Sequence, residues 1–136
     1  MSGMPRQVPL GARGELAEPV TFDKTLTAHH PSLPPVYSTP HMIALMEFAG
    51  HTALEPYCEP DEISVGTAIN VQHLAASGIG LTVKAEAVLE SFDGRMYVFR
   101  VTARDDVEEI GRGTVTRAII KLPKFMARVQ KKGAGK

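Results

Sequence analysis

The sequence predicts an α+β fold in which a curled antiparallel sheet wraps one long helix. Three observations carry that prediction. Residues 42–49 form an almost unbroken apolar run bounded by helix start and stop signals. Residues 63–122 alternate instead with a period of two, in four stretches joined by short turns. The order is an early strand, the helix, then four strands, and a meander with one helix laid on it is an α+β layer.

Each element follows from its residues. Residues 1–16 hold two prolines and three glycines without periodicity and are expected to form a flexible arm. Residues 17–29, with Val20, Phe22, Leu26 and Ala28, read as the first strand. Pro31, Pro34 and Pro35 exclude both a ladder and a helix, so residues 30–36 form a stiff irregular loop. The helix begins with Thr39 as N-cap and Pro40 at the first helical position, and Pro56 stops it. Met42, Ile43, Leu45, Met46, Phe48 and Ala49 surround its axis, which predicts burial on most sides. Either the sheet curls around such a helix or a second subunit closes over it. Residues 63–73 put Val65, Thr67, Ile69, Val71 and His73 on one face, and Gly66, Ala68, Asn70 and Gln72 on the other. Residues 81–90 put Leu81, Val83, Ala85, Ala87 and Leu89 together. Asp93-Gly94 marks a hairpin. It leads to residues 95–104, where Tyr97, Phe99, Val101 and Ala103 share a face, and a last strand covers 110–122. The expected domain spans 17–130, followed by a flexible basic tail over 131–136.

Composition removes several classes. A chain of 136 residues holds one domain, with roughly two-thirds of its surface buried. Cys58 is the single cysteine, so no internal disulfide forms. The longest apolar runs are too short to cross a bilayer. Pro5, Arg6, Pro9, Arg13 and Glu15 interrupt any secretory core at the start, and the expected compartment is the cytoplasm. Net charge is zero, but residues 121–136 carry six cations and no acid. An acidic body with a basic end does not make a broad nucleic-acid surface. Neither nucleic acid nor membrane is an expected partner. The G-x-S-x-G, P-loop and G-x-G-x-x-G signatures are all missing.

Glu47 is the first residue that needs explaining. A carboxylate inside a buried helix costs several kcal/mol unless it is paired or protonated. It either points outward past Ala44 and Ala49 or serves as a base or nucleophile. Thr39 serves as a cap or, beside free amides at the helix start, as part of a hydrolytic site with oxyanion donors. Eight residues separate Thr39 from Glu47, about 12 Å of helix rise, so something must bridge them. His73 is one bridge, as a proton carrier, and a satisfied core histidine is the alternative. His51, four residues after Glu47, is placed to pair with it. No cysteine or histidine spacing supports a metal. Arg117 either pairs with an acid or holds an anion.

Three blocks then carry a resemblance: V-Y-S-T-P-H-M-I-A-L-M-E-F-A (36–49), S-V-G-T-A-I-N-V-Q-H (64–73) and E-I-G-R-G-T-V-T-R-A-I-I (109–120). In this order and spacing the chain resembles the fluoroacetyl-CoA thioesterase family of hot-dog proteins over roughly residues 15–130. The resemblance implies a hot-dog fold and hydrolysis of a short acyl-CoA to acid and free CoA. It implies no cofactor beyond the CoA of the substrate, and a homodimer with its sites near the interface. By position, Thr39, Glu47 and His73 match the catalytic threonine, glutamate and histidine. Gly66 matches a glycine lining the acyl site, and Arg117 matches the arginine of the last strand. Fluoroacetyl-selective members carry a phenylalanine-rich lid before the helix, whereas residues 29–40 here contain no Phe. Leu33 and Tyr37 stand in that loop as candidate substrate contacts. Lys121, Lys124 and Arg128 are candidates to meet the CoA phosphates. The rival reading is a non-catalytic acyl-CoA binding or sensor module, which has no use for a costly buried carboxylate.

Overall fold

The computed structural model describes residues 8–135, so residues 1–7 of the expected arm and Lys136 lie outside it. Five strands, β1 (Arg13–Pro19), β2 (Glu62–His73), β3 (Thr82–Phe92), β4 (Met96–Arg104) and β5 (Glu109–Lys121), form one antiparallel sheet ordered β1-β3-β4-β5-β2. The helices are a single turn α1 (Leu26–His29), the long α2 (Thr39–Leu54) and the terminal α3 (Leu122–Ala134).

The alternation read in residues 81–104 is the core itself. Val83, Ala85, Ala87 and Leu89 are buried beside Tyr97, Phe99, Val101 and Ala103 of the paired strand. Asp93 closes the hairpin by accepting from the amides of Arg95 and Met96. Ladder irregularities in β2, in β3 and between β4 and β5 bend the sheet into its curl. Helix α2 lies mainly over β1 and β3 and touches the β5–β2 side less. It buries Met42, Leu45, Met46, Ala49, Ala53 and Leu54. The inner face near β2 is therefore left partly open.

Five expectations are corrected. The first strand is residues 13–19 rather than 17–29, and Phe22–Lys24 and Leu26–His29 are helical turns. The true strand is charged: Arg13 pairs with Glu86, and Glu15 with Lys84, across the ladder to β3. Its apolar signal is correspondingly weak, and residues 13–16 belong to the sheet, not to an arm. At the other end, Lys131 and Lys132 continue α3. Ser38, not Thr39, is the N-cap of α2, its hydroxyl accepting from the His41 amide. The alternation of β2 is broken by a bulge between Gly66 and Ala68. Gly66 pairs with Arg117, and Ile69 with buried Val115. One extra residue thus turns both Ser64/Gly66 and Ile69/Val71/His73 toward the helix. Finally, α2 is not covered on most sides within one chain, for Phe48 remains 57% exposed.

Gly14 fixes how closely α2 approaches the sheet. A methyl there would collide with the backbone carbonyl of Ala49 and the backbone nitrogen of Ala53. Neither atom is free to move inside a helix. Gly14→Ala is expected to destabilise the fold by roughly 1–3 kcal/mol, as overpacking does. A lowered thermal midpoint at unchanged secondary structure is the readout.

Candidate active site

Two clusters lie along α2, and the sequence candidates divide between them. The first is at the helix start. Because Ser38 supplies the cap, the Thr39 hydroxyl is released from that duty and shares a 2.8 Å hydrogen bond with His73 Nδ1. Pro40 has no N–H, and the amides of His41 and Met42 are taken by Ser38. That leaves the Thr39 amide as the donor at the helix N-terminus. His73 Nε2 is buried and has no hydrogen-bond partner. Burial holds the His73 pKa below the ordinary 6.5, offset in part by the Ala75 backbone. The ring is therefore neutral at pH 7, with its second nitrogen unspent.

The second cluster is two helical turns on, with about 12 Å of helix rise between the backbones of Thr39 and Glu47. Arg117, 5% exposed, reaches from β5 to the helix. Its Nη1 lies 3.5 Å from the Glu47 carboxylate and donates to the Glu47 backbone carbonyl at 3.1 Å. Its Nε donates to Ser64 Oγ at 2.7 Å, and its Nη2 to the Ser64 carbonyl at 2.9 Å. Burial lowers the Arg117 pKa, while the Glu47 charge raises it. Of the two sequence readings, Arg117 takes the first: it pairs with an acid and points that acid. Glu47 remains partly accessible, with its side chain 25% exposed.

Gly66 completes this end. A Cβ there would run into Glu47 Oε2, the far end of a flexible side chain. Gly66→Ala therefore displaces the carboxylate instead of breaking the fold. We expect at least a tenfold loss of kcat/KM with a thermal midpoint close to wild type.

The bridge assigned to His73 is not direct. His73 meets Thr39, Glu47 meets Arg117, and no bond joins the two pairs. His51 does not pair with Glu47 either. Its Nδ1 shares a 2.7 Å hydrogen bond with Ser64 Oγ, and its Nε2 lies 3.8 Å from Glu55. Ser64, absent from the sequence candidates, is the hub between His51 and Arg117. Its signal was an oddly placed serine in a strand, masked because the bulge hides which face it occupies. Tyr37 is buried, and its hydroxyl donates to Glu18 on β1. Burial and that carboxylate push its pKa far up, so it anchors the loop from within. Leu33 stays exposed. Among the described residues, no group of three His, Cys, Asp or Glu side chains is arranged to hold a metal ion.

In chemical terms the arrangement offers a pointed carboxylate at one end. At the other it offers a hydroxyl–imidazole pair beside a helix N-terminus. A family model described as fluoroacetyl-CoA-specific thioesterase matches residues 20–122. A curated relative, the fluoroacetyl-CoA thioesterase of Streptantibioticus cattleyicolor, is 52% identical over 99 residues, 73% of this chain and 71% of the relative. A solved structure of the fluoroacetyl-CoA thioesterase FlK matches with a TM-score of 0.87 at 43% identity, over 93% of this chain and 98% of that one. A thioesterase superfamily member from Thermus thermophilus matches with a TM-score of 0.87 at 27% identity, over 96% and 99%. The chain has the hot-dog thioesterase fold and belongs to the fluoroacetyl-CoA-specific thioesterase family.

Proposed function

We propose that this protein hydrolyses short acyl-CoA thioesters to the free acid and CoA. The observation that carries the reading is Glu47, a carboxylate aimed by a buried arginine at a strand face kept bare by Gly66. Such an investment in a half-buried charge is costly for a mere binder. In this reading the thioester lies between the two clusters, and the Thr39, His73 and Glu47 side chains extend toward it from backbone positions that helix rise separates by about 12 Å for residues 39 and 47. Glu47 drives formation of the new C–O bond, either by taking a proton from water or by attacking directly and being released by water. The C–S bond breaks, and the proton that the attacking water gives up passes to the CoA thiolate, with the neutral His73 ring as relay, so that Glu47 ends as carboxylate and His73 neutral. The Thr39 amide and hydroxyl hold the carbonyl oxygen as it gains charge. The reaction as proposed takes no cofactor beyond the CoA of the substrate.

Three further features of the reading rest on the same fold. A homodimer is supported by the twelve-residue edge strand β2 and by two exposed apolar side chains near it, Phe48 and Ile69. Among the described residues no helix is long and apolar enough to cross a membrane, and a cytoplasmic enzyme fits a CoA substrate. The acyl group is short, as the curated relative's name states for its own substrate, while the loop over 29–40 contains no Phe. The test is release of free thiol from acetyl-, fluoroacetyl-, propionyl- and hexanoyl-CoA. The expected result is equimolar acid and CoA, with kcat/KM falling as the chain lengthens. Binding of these esters without release of thiol would replace the hydrolase with a binding module.

A further inference from the structure

Helix α3 is the largest feature the proposed chemistry leaves unused. No residue of it is buried. Its cationic positions recur at Lys124, Arg128, Lys131 and Lys132, one stripe of a helix. Beside it opens a groove of about 1190 Å³, lined by these four cations, by Phe125 and by Arg95 of the β3–β4 turn. That size is ample for a nucleotide. No carboxylate lines the groove. Lys121 at its edge is already paired with Asp61 and Glu62. Among the described residues, Lys124, Arg128, Lys131 and Lys132 form no ion pair, and Arg95 shares its charge only with Asp93 of its own turn.

We infer that this groove binds the 3′-phosphoadenosine end of the CoA substrate, the phosphates against the cations and the adenine against the Phe125 ring. This assignment rests on the thioesterase reading. Four uncompensated cations on α3, with Arg95 facing them, attract phosphates, and an accessible aromatic face offers a stacking surface for a base. Position agrees as well. Lys121, where the groove begins, is four residues along β5 from Arg117, roughly 14 Å at strand rise. The pantetheine arm of CoA is an extended chain suited to bridge such a gap, with the thioester near Glu47 and the nucleotide at α3. A basic amphipathic helix also suits an anionic membrane surface, but a concave groove completed by Arg95 fits a discrete ligand better than a flat bilayer.

The test compares wild type with the double variant Arg128→Glu/Lys131→Glu, using one acyl group carried on CoA and on pantetheine. The expected result is a KM for the CoA thioester at least tenfold higher, kcat within twofold, and unchanged kinetics on the pantetheine thioester. Calorimetry with adenosine 3′,5′-bisphosphate should show binding by wild type, weakening with salt, and loss of binding in the double variant. Phe125→Ala should weaken that binding several-fold with no change of charge. An unchanged KM, equal effects on both thioesters, or binding to phosphatidylserine vesicles without binding of the bisphosphate would overturn the assignment. If wild type hydrolyses no thioester, the enzymatic reading falls, and the calorimetry still decides the groove.

Discussion

Replacing Glu47 with glutamine is expected to lower kcat by roughly 10²–10⁴, the usual range for loss of a positioned acid–base group. The substitution keeps the shape of the side chain and removes its charge. Arg117 does not lose its place with it. Three of its contacts are independent of the carboxylate: Ser64 Oγ, the Ser64 carbonyl and the residue-47 backbone carbonyl. The fold should therefore hold, and a thermal midpoint within a few degrees of wild type separates lost chemistry from lost structure. Substrate binding should persist, since a neutral amide repels nothing that a carboxylate tolerated. A Glu47→Gln enzyme that retains more than a tenth of the wild-type rate would remove the carboxylate from the chemical step.

His73→Ala is expected to lower kcat by about 10²–10³. It deletes the partner of Thr39 and the unspent Nε2 together. The same residue sets a pH signature. Burial places its pKa below 6.5, so the neutral ring survives into mild acid. The acid limb of kcat/KM should then fall below pH 6.5, not at or above it. Stability follows with a definite sign. The unfolded chain binds the proton more readily than the fold does, so this contribution is present above pH 6.5 and is lost as the pH drops toward the depressed value. Rate profiles and thermal scans between pH 5 and 8 check both statements.

Much of this molecule is legible in its sequence where burial imposes a period. The buried faces of β3 and β4 and the span of α2 follow from spacing alone, because each packs apolar side chains on a known repeat. Strand β1 was hidden because it is held by cross-strand charge pairs and by the close approach at Gly14, and neither leaves an alternation. The bulge in β2 was hidden for a different reason. It depends on pairing with β5, and a strand read alone cannot reveal that one residue has been inserted against its partner. That single residue decides the candidate site. It turns Gly66 and Ser64 to the same side as His73, which strict alternation separates. Glu47 and Thr39 were legible as chemistry, the one as a charge in an apolar run and the other at a helix start. Their partners were not: Ser38 had to take over the cap before Thr39 was free for His73, and Ser64 had to face inward before Arg117 was fixed. The exposure of Phe48 was likewise unreadable, because an all-round apolar helix states only that a cover is needed, not which chain supplies it.

In the proposed reaction two clusters, 39/73 and 47/117, act on one bound thioester. The most direct measurement is a double-variant cycle on thiol release, with wild type, Glu47→Gln, His73→Ala and the combined variant compared at matched folding. Groups that act as a unit in one transition state are not additive. The combined variant should therefore run within about threefold of the slower single variant. Losses that multiply, or a single variant that keeps the wild-type rate, would contradict a shared substrate and break the site into unrelated parts.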